Sequence, residues 1–270
     1  MRRGPGSWRA VALAVAFLAA APACAGTISI SMTPVPELRD GKLSVHLTVR
    51  NLGDEAAQSV APALRFRETE ARGKGTSSLA PQQSIEETLS LPVKDLGQGR
   101  WPYRVTVDYT DANQYPFQAL HVLLATVGNP PPAKVLVSQI SATPLATSGT
   151  IHMMLKNVAD APRTVTVHVM VPEGIEATEP AKDVQLAAWQ EETFSVPVVN
   201  RSARAGSRLP VFVGVEYDDG DTHQAVVSQS LVEIIAQQSF FARNKGVLGI
   251  VALVLVLIWA AFVAMRLVRG

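Results

Sequence analysis

Cysteine is almost missing: Cys24 is the only one in 270 residues, and it falls in an N-terminal apolar segment. Cleavage of that segment after Ala25 leaves none, which excludes thiol catalysis, thiolate metal sites and disulfides from the rest of the chain. Charge of one sign is missing too. Loss of Arg2, Arg3 and Arg9 leaves 21 basic residues against 23 acidic ones, a net of −2, so no nucleic-acid partner is expected. No G-x-S-x-G elbow, H-E-x-x-H helix or P-loop occurs, and outside two apolar segments no stretch has a helical period.

The longer apolar segment is Gly246 to Met265, GVLGIVALVLVLIWAAFVAM, 20 residues without a charge. At about 1.5 Å per residue it spans roughly 30 Å, the thickness of a bilayer hydrocarbon core, and it reads as a transmembrane helix; the alternative is a buried core helix. Arg243 and Lys245 precede it and Arg266 and Arg269 follow, so the flanking charges leave its orientation undecided. The N-terminus decides it. A basic n-region, an apolar run from Ala10 to Ala21 and the A-x-A-like site Ala23-Cys24-Ala25 form a secretory signal over residues 1–25. Cleavage before a lipidated Cys24 is the alternative, although Pro22 is awkward in a lipobox. Residues 26–236 are then exported, 237–245 are juxtamembrane and 266–270 are a cytoplasmic tail, which makes a single-pass protein of the cell envelope.

The exported part divides at Gly128-Asn-Pro-Pro-Pro132, a stiff linker over 128–133 between regions 26–127 and 134–236. The two regions are copies. Leu43–Asn51 aligns with Gly149–Asn157, so that His46 falls on His152, Arg50 on Lys156 and Asn51 on Asn157 at one offset of 106, and Arg104–Tyr109 later aligns with Phe212–Tyr217. Within each copy apolar residues alternate with polar ones, as in Leu43, Val45, Leu47 and Val49, and turn clusters recur between such runs. This pattern predicts antiparallel sandwiches. Strands are expected near 27–32, 42–50, 58–66, 84–93, 101–109 and 116–126, and again near 134–142, 149–157, 164–171, 190–198, 209–217 and 223–235. A seventh strand is expected around Asp183 to Leu186.

The turn Val49-Arg-Asn51-Leu-Gly53 resembles the V-x-N-x-G turn of bacterial and archaeal Ig-like cell-surface domains of the CARDB/NEW3 type. The second copy keeps Asn157 but has Ala159 in place of the glycine. The resemblance implies an all-β fold, two tandem Ig-like β-sandwiches followed by the membrane helix, and it carries over no catalytic residue. Asn51 and Asn157 have their own reason to be there, because an Asn side chain bonds the backbone of the turn that follows it.

One cluster suggests chemistry. Glu216, Asp218, Asp219, Asp221 and His223 crowd a hairpin whose oxygens suit Ca²⁺; the alternative is that Asp-Asp-Gly-Asp serves only as turn chemistry, with no cofactor. His46, His121, His152 and His168 sit within strand patterns and are expected to be structural. Three functional classes stay open. The first is a non-enzymatic, membrane-anchored protein whose sandwiches bind or position an envelope or membrane partner, as an accessory subunit. The second is an adhesin or ligand-binding receptor for protein or glycan that uses loops such as Arg65–Arg72. The third is a carboxylate-based hydrolase. Duplication around a proline linker favours a semi-rigid stalk that holds its far domain away from the bilayer.

Overall fold

Alternating side chains need a partner sheet for their apolar face, and both copies find one. The structure, a computed structural model, describes residues 26–237 and 244–269, with the side chains of 248, 258 and 260–269 outside the description. The first copy forms β1 (Ile30–Arg39), β2 (Lys42–Asn51), β3 (Ala57–Phe66), β4 (Thr69–Arg72), β5 (Thr76–Leu79), β6 (Ser84–Pro92), β7 (Gly99–Thr110) and β8 (Pro116–Val127). The second forms β9 (Val135–Ala142), β10 (Ser148–Asn157), β11 (Arg163–Met170), β12 (Ile175–Ala177), β13 (Ala181–Leu186), β14 (Glu191–Asn200), β15 (Arg208–Asp219) and β16 (Thr222–Glu233). A helix, α1 (Lys245–Arg269), follows. Among the described residues the body is therefore all-β with sandwich-like sheets.

In the first copy a three-stranded sheet β1-β2-β6 covers a second sheet built on β3, β7 and β8. Leu43, Val45 and Leu47 meet Tyr103, Val105 and Val107 in one buried cluster. In the second, β12-β14-β10-β9 covers β13-β11-β15-β16, with Ile151, Met153 and Leu155 against Val211, Val213 and Val215. Differences from the expected strands have local causes. β1 runs on through Pro34 and Pro36 because it pairs only with β2, and an edge strand tolerates residues that cannot donate. The short polar strands β4 and β5 carry too little apolar sequence to show a period.

The linker does not space the sandwiches end to end. β16 pairs in parallel with β7 through one bridge, His223 to Gly99, and this joins the second sheet of each copy into a single nine-stranded sheet. The copies stand side by side. The expected stalk is replaced by a paired block. Its sides meet through Leu120 and Val122 of β8 and Phe212 of β15, backed by Met170 and Val227.

The expected span 246–265 lies within α1, whose backbone runs for 25 residues. Among the described residues no helix is long and apolar enough to cross a membrane. The described side chains of α1 end at Trp259, short of the roughly 20 residues a bilayer core needs, so the side chain of Met265 falls outside them. Those that are described, among them Val247, Ile250, Leu253 and Trp259, are exposed. The expected signal, 1–25, and most of the juxtamembrane segment, 238–243, also fall outside the described residues.

Candidate functional site: the junction of the two sandwiches

Asn51 and Asn157 close equivalent turns. Each is fully buried. Asn51 Nδ2 donates to the carbonyls of Glu55 (2.7 Å) and Leu79 (3.0 Å) while its Oδ1 accepts from Gly53 N (3.0 Å). Asn157 repeats this with Ala161 O (2.9 Å), Ala187 O (2.9 Å) and Ala159 N (3.0 Å). The Gly53/Ala159 difference has a steric reason, because a Cβ on Gly53 would lie 1.9 Å from Thr27 O. His46 and His152 share a role too, bonding Thr88 Oγ1 at 3.2 Å and Ser195 Oγ at 2.8 Å across the strands.

The acidic hairpin is divided by strand alternation. Asp219 turns to one side, where Arg163 Nη2 donates to it at 2.9 Å and Lys134 Nζ lies 3.6 Å away. Glu216 and Asp218 point to the other side, toward His223, whose Nδ1 is 2.8 Å from Asp218 Oδ1 and whose Nε2 is 3.2 Å from Glu216 Oε2. His168 Nε2 lies 3.3 Å from the second Glu216 oxygen. Asp221 joins neither group. Among the described residues no three His, Cys, Asp or Glu side chains come together as a metal-ligand set.

What forms around His223 instead is an interdomain lock. Both ring nitrogens face carboxylates, and only the doubly protonated imidazolium can donate to both. Burial opposes its charge, but the hydrogen bonds and charges of Glu216 and Asp218 outweigh that and hold the pKa above the ordinary histidine value. The ring stacks on Trp101 of the first sandwich at 3.8 Å and 9°, and the Arg67 guanidinium lies 4.6 Å from that indole ring. Beside it His223 N donates to Gln98 O (3.0 Å). Gly99 makes this approach possible: its φ is +152°, and a Cβ there would sit 2.2 Å from His223 O. Arg100 Nη1 donates to Gln224 Oε1 and to Pro131 O, both at 2.7 Å, and Gln224 Nε2 donates to Pro131 O at 3.2 Å. The prolines, which cannot donate, are thus held by their carbonyls.

A second lock closes the opposite end. Arg204 Nη1 donates to Asp111 Oδ2 at 3.0 Å, and Tyr115 Oη donates to Ser202 O. The backbone N–H of Tyr115 and, after it, those of Asn113 and the Arg204 charge keep the buried Asp111 below the usual carboxylate pKa against the effect of burial. At this end Gly26, Thr27 and Ile28 line a groove with Arg204, Gly206 and Ser207, and Gly206 N bonds Ile234 O at 2.7 Å. The first sandwich is therefore entered, and the second left, at the same end of the block.

Sequence reasoning missed Trp101, Arg100, Gln224 and Arg204. It also missed the apolar contact between the sandwiches, although the runs Leu120–Ala125 and Val211–Val215 break alternation and carry apolar residues on both faces.

No protein-family model and no curated protein matches the chain. Among solved structures, red sea bream transglutaminase aligns with 78% of this chain and 31% of its own at 14% identity and a TM-score of 0.28. Trypsin-activated alpha-2-macroglobulin from Escherichia coli aligns with 77% of this chain and 18% of its own at 11% identity and 0.32. The YadV chaperone aligns over 74% of this chain and 99% of its own at 11% identity and 0.33. The chain thus spans less than a third of the transglutaminase and macroglobulin chains, and likeness at these TM-scores carries no argument about activity.

Proposed function

We propose that the chain is a non-enzymatic, membrane-anchored envelope protein whose two Ig-like sandwiches, of the CARDB/NEW3 type, present one rigid surface to a protein partner as an accessory subunit. The observation that carries this reading is the paired block: locked at both ends, entered and left at one end, and followed by a helix whose described apolar side chains nothing covers. A block so tethered stands directly over the bilayer instead of reaching away from it. The exposed apolar side chains of the helix that are described, from Val247 to Trp259, have an obvious place in lipid. The first lock has the chemistry of a structural contact, because its carboxylates are spent on His223, His168, Arg163 and Lys134.

Alkaline washing of membranes carrying the full-length chain tests the anchor, and detergent pull-down with mass spectrometry tests the partner. The full chain is expected to stay with the pellet and a truncation lacking 246–270 to be released; release of both overturns the anchor. Recovery of the same envelope or membrane protein with full chain and truncation places the contact on the sandwiches. Hydrolytic activity in the pure protein that is lost on Asp218→Ala overturns the non-enzymatic reading.

A further inference from the structure

We propose that the cleft between the sandwiches at Arg65 and Arg104 is a binding site for a phosphate or sulfate group. Arg65 and Arg104 are direct cross-strand partners on β3 and β7. Two like charges placed opposite each other on one sheet face oppose the pairing of their strands. Burial, and after it the charge of Arg65, lower the Arg104 pKa from the ordinary arginine value, with Glu68 and Glu70 offsetting this in part. The second copy shows that the fold does not ask for these residues. There the equivalent cross-strand pair is Met170 and Phe212, which pack into the apolar contact between the sandwiches.

The two guanidinium groups open onto a cleft of about 290 Å³ that Arg67 lines from the same sandwich and His168, Met170 and Glu216 line from the other. Glu216 is the one carboxylate among its lining residues, and it is engaged by His168 at 3.3 Å and His223 at 3.2 Å. Among the described residues Arg65 is held only by Arg67 O (3.2 Å) and by Glu68 at 3.6 Å, whose side chain is 96% exposed. Arg67 lies over Trp101. The Arg104 guanidinium has no hydrogen-bond or ion-pair partner among the described residues; Glu68 and Glu70 act on it only through space, and they are paired with Arg65 at 3.6 Å and Arg72 at 2.7 Å. Two adjacent forks ask for more oxygens than a planar carboxylate has. A tetrahedral oxyanion, with three or four acceptors, serves both. The cleft lies midway along β7, away from the end where the chain enters and leaves, so the group is one in solution or on an envelope glycan and not a lipid headgroup.

Phosphorus NMR of the full-length protein in detergent, at constant ionic strength, tests the site with inorganic phosphate and with glucose 6-phosphate. Saturable broadening is expected for wild type, with affinity about tenfold or more weaker in Arg104→Met and also reduced in Arg104→Lys, which keeps the charge and loses the fork. Arg72→Met, at an arginine paired with Glu70 outside the cleft, is expected to bind as wild type. Tighter binding of the sugar phosphate assigns the group to a glycan, and equal binding assigns it to the free ion. If Arg104→Met melts below wild type, Arg65→Met replaces it. Absence of saturation with both ligands, or unchanged affinity in a folded Arg104 or Arg65 variant, overturns the proposal.

Discussion

Replacing Gly99 by Ala tests whether the sandwiches act as one body. The residue has a φ of +152° and approaches His223 so closely that an added Cβ would lie 2.2 Å from the His223 carbonyl oxygen. Forcing an L side chain into that backbone region costs on the order of 1–3 kcal/mol. Separating the strands to relieve the clash also loses the hydrogen bond from His223 N to Gln98 O, a further ~0.5–1.5 kcal/mol. The lock is therefore weakened by about 1.5–4.5 kcal/mol, the sum of those two effects. Hydrogen exchange of the full-length protein in detergent reads this directly, because the amide of His223 exchanges by opening of the lock. Acceleration of about 10- to 2,000-fold is expected for peptides around 97–101 and 222–226, while the core strand Leu43–Val49 keeps its protection. Unchanged exchange at His223 would refute the reasoning, and so would equal acceleration in both regions, since the lock would then be no separate unit.

Two further perturbations address the turns and the charge at the junction. Asn51→Ala leaves two carbonyls and one N–H of a buried turn without partners, which costs about 3 kcal/mol; a melting temperature about 6–12 °C lower is expected for a cooperative unit of this size, and Asn157→Ala should match it, whereas a fall under 1 °C in both would remove the turn argument. His223 contributes through a raised pKa, so its stabilisation is complete below the ordinary histidine value and is lost as pH rises through the folded-state pKa. His121 works the other way, since burial lowers its pKa and stability is lost as pH falls; the His223 component is therefore read as the difference between wild type and His223→Gln, and identical pH–stability curves for the two would count against the imidazolium.

The strands and both buried asparagines were legible because each follows from local chemistry. Leu43, Val45, Leu47 and Val49 declare a buried face by period alone, and Asn51 declares a turn because its amide can satisfy backbone groups on either side. The junction was not legible in that way. Arg100 and Arg104 stand at polar positions of an alternating strand, where a face wetted by solvent and a face set against another domain have the same sequence pattern. Only Leu120–Ala125 and Val211–Val215 betrayed it, and those runs read equally as ordinary buried strand. The hairpin Glu216–His223 misled through composition. Five ligand-type side chains within eight residues look like a cluster in one dimension, yet a period of two sends Asp219 to Arg163 and Lys134, and Glu216 and Asp218 to His223.

Where two copies of one domain differ at an equivalent position, the fold cannot be the cause, because it tolerates both residues; the neighbour must be. Gly53 and Ala159 differ because Thr27 O crowds the first turn. Met170 and Phe212 are apolar because Leu120 and Val122 of the other sandwich press on them. Arg65 and Arg104, at those same positions in the first copy, face a cleft whose one lining carboxylate, Glu216, is engaged by His168 and His223. By that logic the neighbour that explains this pair lies outside the chain, and of all the asymmetries between the copies it is the one that points to a ligand and not to assembly of the block. The two locks bracket that cleft from either end, so anything that binds there senses the relative placement of the sandwiches.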